Sequence, residues 1–117
     1  MQSNNSLDFK TVWHDKVSST NDICMDSARN GGDEGIVVAA KYQEQGRGQR
    51  GNTWESLRGL NLTFSILLRP DFLRVEEQFL ISKIAAISVC DWIGAYLTDK
   101  DVAVKWPNDI YIGNNKV

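Results

Sequence analysis

Residues 11–42 read TVWHDKVSSTNDICMDSARNGGDEGIVVAAKY, and the order of patterns in this stretch decides the class of fold. Thr11 to Val17 alternates enough for a short strand. Ser18, Ser19, Thr20 and Asn21 follow it, and side-chain oxygens of this kind satisfy the unpaired N–H groups at a helix start. The spacing then predicts a helix over 21–30, stopped by Gly31 and Gly32, because glycine accepts the left-handed geometry that ends helices. Gly35 to Tyr42 reads as a buried strand carrying the β-branched run Ile36, Val37 and Val38.

Past this opening, Gln43 to Gly59 changes character. Glycines at 46, 48, 51 and 59 are interleaved with Arg47, Arg50 and Arg58, little apolar material is present, and a mobile loop is the expectation. Asn61 to Leu68 is the next strand, ended by Pro70. Glu76 to Leu97 is a helix by its apolar spacing, with Leu80, Ile84 and Ile87 on one line and Ile81, Ala85, Trp92 and Tyr96 on another. Val102 to Trp106 and Ile110 to Ile112 are short strands hinged by Pro107, Asn108 and Asp109. Gly113, Asn114 and Asn115 form a turn, and Lys116 and Val117 open a returning strand that the sequence leaves without residues to pair it. The order β, α, β, β, α, β, β predicts an α+β domain, a mixed sheet with helices layered on it, left incomplete at the C-terminus.

The 117 residues suit one small domain spanning 1–117, and 42% hydrophobic content is ordinary for a globular chain. A formal net charge of -2 provides no general basic field for nucleic acid or an anionic membrane, so any anion site must be local. Cys24 and Cys90 stand far apart with no thiol or histidine at metal spacing, which predicts two reduced, buried thiols. No signal peptide is visible, and Lys83, Ser88 and Asp91 interrupt the most apolar stretch, 79–97. The expectation is a cytoplasmic protein without membrane contact.

Three segments carry candidate chemistry. In Gly46-Arg47-Gly48-Gln49-Arg50-Gly51-Asn52-Thr53-Trp54, glycines leave backbone N–H groups free to approach an anion, and two guanidiniums can fork onto its oxygens. No Lys-Ser or Lys-Thr follows the last glycine, so it is no Walker loop, and a solvated hairpin connection explains it equally well on its own. Lys105-Trp106-Pro107-Asn108-Asp109 places an ammonium, an amide and a carboxylate on a proline-fixed corner, which is otherwise a plain turn. Ser18 to Asn21 is explained by helix capping without any ligand.

Together, in this order and at this spacing, Ser-Ser-Thr-Asn, Gln43, the Gly-Arg-Gly loop, Asn61-Leu62, Lys-Trp-Pro-Asn-Asp-Ile and Lys116 resemble the catalytic domain of the biotin–protein ligases. The resemblance runs from about Val17 to Val117 and implies a largely antiparallel sheet of the class II aminoacyl-tRNA synthetase-like kind, with helices on one face. It implies an enzyme that joins biotin and ATP as biotinyl-5′-AMP and passes biotin to a lysine of a biotin carboxyl carrier protein or domain, with Mg2+ accompanying ATP.

Residue by residue, the resemblance makes Arg47 and Lys116 the catalytic cations, and Ser19, Thr20, Asn21, Gln43, Gly46, Arg47, Gly48, Gln49 and Lys116 the biotin contacts. Arg47, Gly48, Gln49, Arg50, Trp54 and Asn108 fall to the nucleotide, Asp109 to the metal, and Lys105 and Trp106 to a supporting role. Gln49 and Asn52 stand where some relatives carry arginine, so this loop is the less basic. The short stretch before Ser18 predicts the monofunctional type, with no DNA partner, while a homodimer remains compatible. The family continues beyond the lysine, so the chain reads as the N-terminal half of that domain, inactive by itself and with Lys116 frayed. A lipoate-attaching ligase and a non-enzymatic RNA- or protein-binding module using the Arg/Gly loop are the competing readings.

Overall fold

A computed structural model describes residues 7–47, 53–54 and 59–117, which form two compact units divided after Arg69. The first unit is built on β1 (Lys10–Val17), α1 (Thr20–Arg29), β2 (Ile36–Gln43), β3 (Gly46–Arg47), β4 (Thr53–Trp54) and β5 (Thr63–Ile66). Strands β1 and β2 run parallel, Lys10 beside Ile36 and Val17 beside Gln43, as the intervening helix requires. On the other edge of β2 lies β5, antiparallel, with Val38 opposite Ser65 and Ala40 opposite Thr63.

Helix α1 packs on β2 and β5. The core of this unit is Val17, Cys24, Val38, Ala39, Ala40 and Leu67. Burial pushes the Cys24 thiol up, more strongly than a backbone hydrogen bond at Val38 pulls it down. A raised pKa means less thiolate at any given pH, and the thiolate is the reactive form. Iodoacetamide is therefore expected to label Cys24 slowly at neutral pH and faster as the pH rises above the ordinary thiol range, as mass spectrometry of the native protein can follow.

Helix α1 ends as its glycines predict. Asn30 caps it, Gly31 turns at φ 78, and the Gly32 N–H reaches Ser27 O at 2.7 Å. Gly35 has the tighter role. Its φ is 93, its N–H donates to Leu67 O at 2.8 Å, and its carbonyl accepts from the Lys10 N–H at 3.1 Å. It thereby ties the start of β1 to the end of β5, and a Cβ there would collide with the backbone oxygen of Asp8. Gly35→Ala is expected to cost about 2 kcal/mol and lower Tm by on the order of 10 °C. Gly31→Ala meets no atom within 4 Å and should cost about half as much, a difference thermal melts will resolve.

The stretch read as a loop contains a short ladder, in which Gly46 pairs with Trp54 and Arg47 with Thr53. Gly48, Gln49, Arg50 and the side chains of Arg47 and Trp54, all assigned roles from the sequence, lie outside the described part of the chain.

The second unit contains a short 3-10 turn at Val75–Glu77, α2 (Phe79–Tyr96), β6 (Val102–Lys105), β7 (Asp109–Ile112) and β8 (Asn115–Lys116). All three strands are antiparallel neighbours, and α2 packs on β6 and β7. Here two expectations are corrected. The returning strand does have a partner, because Lys116 pairs with Tyr111 and the Val117 N–H donates to Ile110 O at 2.9 Å. Lys116 is accordingly held in a ladder and not frayed.

The apolar lines read along α2 are not the covered ones. Ala86 is its one buried residue, flanked on the same stripe by the half-buried Lys83, Cys90 and Ile93, whereas Ile84, Ile87 and Trp92 are more than half exposed. A helix apolar all round has no periodicity to choose a face. For the same reason Val75–Tyr96, with mean hydropathy 1.4, meets the length and composition of a membrane span despite Lys83 and Asp91; a core helix meets the same measure. Across the whole described chain four of the five strand pairings are antiparallel, the mixed, largely antiparallel α+β arrangement that the order of elements predicts.

Candidate functional site

The start of α1 is where the first unit concentrates polar groups. Ser19 has the extended backbone of an N-cap, and its Oγ accepts from the Asp22 N–H at 3.5 Å. The Thr20 N–H is satisfied from a different strand, since Gln43 at the end of β2 accepts it on Oε1 at 2.9 Å. A backbone N–H can only donate, so this bond fixes which way the Gln43 amide faces. Its oxygen points to the helix, and its NH2 is left to donate elsewhere. The Thr20 hydroxyl also lies 3.3 Å from that oxygen and 2.8 Å from the Ser65 hydroxyl of β5. Ser19 and Thr20 are each only 3% exposed, so these hydroxyls are built in and not incidental surface groups.

These groups line a recess of about 310 Å³ together with Asn21, Leu62, Thr63 and Phe64. That volume is at the low end of small-ligand sites, and the mixture of a few aimed polar groups with exposed apolar side chains is their usual anatomy. The recess thus unites Ser19, Thr20, Asn21 and Gln43, four residues singled out in the sequence, and adds Ser65, which was not. The signal for Ser65 was available in the alternation Thr63, Phe64, Ser65, Ile66, where two hydroxyls share one face of a strand.

In the second unit, strand alternation and register set Lys105, Asp109, Tyr111 and Lys116 on one face of the β6–β8 sheet. Lys116 Nζ lies 3.1 Å from Asp109 Oδ1, and Lys105 Nζ stands 5.5 Å from the centre of the Tyr111 ring. The two-residue connection from Ile112 to Asn115, with Gly113 at φ 60, is what brings Lys116 back beside Tyr111. Asn108 sits exposed in the turn that precedes Asp109. Trp106 is not core: it is 66% exposed, and Lys83 Nζ lies 4.9 Å from its ring centre.

No group of three or more His, Cys, Asp or Glu side chains able to hold a metal occurs among the described residues. Asp109 offers a single carboxylate, already paired with Lys116. Magnesium commonly binds through one or two carboxylates plus substrate phosphates. The donor set therefore fits an ion delivered on a nucleotide and does not fit one held by the protein alone.

The family model described as biotin/lipoate A/B protein ligase matches residues 13–117. The chain belongs to that family. Its similarity to the bifunctional ligase/repressor BirA of Bacillus subtilis (strain 168) is 33% identity over 107 residues, covering 90% of this chain and 32% of that protein. Among solved structures, the biotin protein ligase from Leishmania major in complex with biotinyl-5-AMP superposes with a TM-score of 0.75 at 29% identity, over 92% of this chain and 49% of that one. The biotin protein ligase from Aquifex aeolicus in complex with biotin and ATP gives 0.72 at 30% identity, over 92% and 43% respectively. The fold is thus that of the biotin protein ligases, as the sequence motifs implied. This chain spans about a third of the length of the curated relatives it matches and about half of the solved chains.

Proposed function

We propose that this chain serves ATP-dependent activation of biotin to biotinyl-5′-AMP, followed by transfer of biotin to a lysine of a biotin carboxyl carrier protein or domain. The observation that carries the choice of vitamin is the oriented amide of Gln43. Its NH2, joined by the Ser19 hydroxyl proton, offers donors to a carbonyl oxygen, as a cyclic urea presents. Lipoate carries a dithiolane instead, with neither carbonyl nor N–H at that end, and would leave these donors unpaired. A site built to hydrogen-bond its substrate rejects such an analogue by roughly 10⁴-fold. Leu62 and Phe64 supply the apolar wall that the sulfur ring and aliphatic tail of biotin need.

In the first step a biotin carboxylate oxygen attacks the α-phosphorus of ATP and pyrophosphate leaves. In the second, the neutral amine of the acceptor lysine attacks the acyl carbon, AMP departs and the amine loses a proton. The first step presses one anion against another, so cations at the reacting oxygens lower its barrier. Lys116 and Arg47 are assigned this role, with Gly46, Gly48, Gln49 and Arg50 as further phosphate and biotin contacts and Trp54 and Asn108 as adenine contacts. Magnesium arriving on the nucleotide would neutralise part of the triphosphate charge, and Asp109 is the carboxylate we assign to assist it.

The test is biotin-dependent exchange of labelled pyrophosphate into ATP by the intact protein. Exchange supported by lipoate and not by biotin would overturn the proposal. A further expected result concerns the glycine-rich segment: Arg47→Gly should still form biotinyl-AMP but release it, so that filtration finds the adenylate free in solution.

A further inference from the structure

Helix α2 inverts the usual placement of charge. Its single cation, Lys83, lies half-buried on the stripe of Ala86, Cys90 and Ile93, while Ile84, Ile87 and Trp92 are more than half exposed. An ammonium on a covered stripe loses water and needs another partner. Lys83 has two aromatic ones. Its Nζ lies 5.3 Å from the centre of the Phe79 ring, one turn back on the same helix, and 4.9 Å from that of Trp106. Both distances are within the range over which a ring face attracts a cation, and tryptophan attracts it most. Phe79 is where a helical side chain at position 83 leans, since such side chains point toward the helix N-terminus. That contact is local, whereas the one with Trp106 joins two elements.

Trp106 opens the corner Trp106-Pro107-Asn108-Asp109 that joins β6 to β7. Its neighbour Lys105 goes a different way, toward the Tyr111 ring at 5.5 Å, on the face where Asp109 and Lys116 also stand. The corner is thus held by α2 at one end and by the β6–β8 ladder at the other. Pro107 stiffens what lies between, so the placement of Trp106 is passed on to Asn108 and Asp109 within three residues. We infer that Lys83 is a positioning residue for the nucleotide: it holds the Trp106 ring against α2, and the corner then keeps Asn108 in place for the adenine. This rests on the biotin-ligase reading above and deepens it with a residue that touches no substrate. Trp106, 66% exposed, has too little packing of its own to fix the corner, and α2 offers no second cation to do so.

The experiment compares two variants of the intact protein: Lys83→Met, which keeps an unbranched apolar stem without the charge, and Lys83→Arg, which keeps the cation. In biotin-dependent pyrophosphate exchange Lys83→Met should raise KM for ATP by roughly 5- to 30-fold, what a partly desolvated cation–π contact contributes, and lower kcat by no more than about threefold. Affinity for biotin alone, measured by calorimetry, should be unchanged, because the recess lies in the other compact unit. Lys83→Arg should bring KM for ATP back to within about threefold of the parent's, since a guanidinium also stacks on tryptophan. A merely structural role gives a different pattern: a lower Tm, biotin and ATP both bound less well, and no rescue by arginine.

If the parent exchanges pyrophosphate with biotin and Lys83→Met has the parent's KM for ATP, the role of Lys83 is wrong and the biotin reading stands. The same holds if biotin affinity falls as far as that for ATP. If the parent supports no biotin-dependent exchange at all, both fall. Should Lys83→Met fail to fold, Trp106→Phe supplies the test. Its smaller ring attracts the cation less, so KM for ATP should rise roughly 2- to 10-fold at unchanged biotin affinity, and an unaltered KM would overturn the assignment.

Discussion

Lys116→Ala in the intact protein is expected to lower kcat/KM for biotin-dependent pyrophosphate exchange by roughly 10²–10³-fold, with little change in thermal stability. The two parts of this expectation come from different physics. The ion pair with Asp109 is short at 3.1 Å, but its side chains are 41% and 34% exposed. Pairs this wet contribute about 0–1 kcal/mol after screening and side-chain entropy are counted. Tm should therefore move by at most a few degrees.

Catalysis is another matter, because a cation beside a carboxylate and a phosphate acts on charge that develops only in the transition state, where water has been displaced. Asp109→Asn separates aiming from charge. It keeps the ammonium but removes the group that orients it, and a loss of roughly tenfold is expected, well short of the alanine variant. A Lys116→Ala protein exchanging pyrophosphate as fast as its parent would remove Lys116 from the chemistry altogether.

Gln43→Leu is expected to weaken biotin binding by roughly 10²–10⁴-fold and to cost about 1–2 kcal/mol of stability. Two functions are lost at once, the donor into the recess and the acceptor that satisfies the Thr20 N–H at the start of α1. Gln43→Glu pulls them apart. A carboxylate oxygen accepts the same N–H, and a helix N-terminus favours the negative charge, so the fold should be as stable as the parent's. Its outward oxygen, however, meets the ureido carbonyl with another acceptor in place of a donor. Binding should then be as poor as in the leucine variant while the melting curve is normal. A glutamate variant that held biotin tightly would show that the amide orientation is not what reads the ligand.

Both expectations depend on residues visible in the sequence for different reasons. Gln43 and Lys116 came forward because of the order and spacing of short motifs, and nothing about either residue alone marks it as functional. Ser65 did not come forward, although it lines the same recess as Gln43. A single serine in a strand of mixed character is indistinguishable by pattern from a solvent-facing position, and only its pairing with Val38 and its approach to Thr20 set it apart. Asp109 shows the converse. Its type and place beside Asn108 allow a metal role, and it is the β7–β8 register that turns its carboxylate toward Lys116.

Helix α2 marks the limit of periodicity. Its residues are so uniformly apolar that two plausible stripes can be drawn along it, and the stripe centred on Ala86 that packs on β6 and β7 follows neither. Strand–helix order was legible for the opposite reason. The helix α1 has a capping serine before it and glycines after it, and β2 has a β-branched run between glycine and glutamine, so local propensity and tertiary pairing agree there.

By itself, then, the sequence determined the elements, the punctuation between them and the family, because each of these is written in contacts within a few residues or in motif order. The tertiary structure alone decided the meeting of Ser65, Thr20 and Gln43, the Asp109–Lys116 pair and the face that α2 covers. Hydrogen-bond partnership, strand register and helix-face choice join residues up to 45 positions apart, and no local pattern encodes which atom will face which.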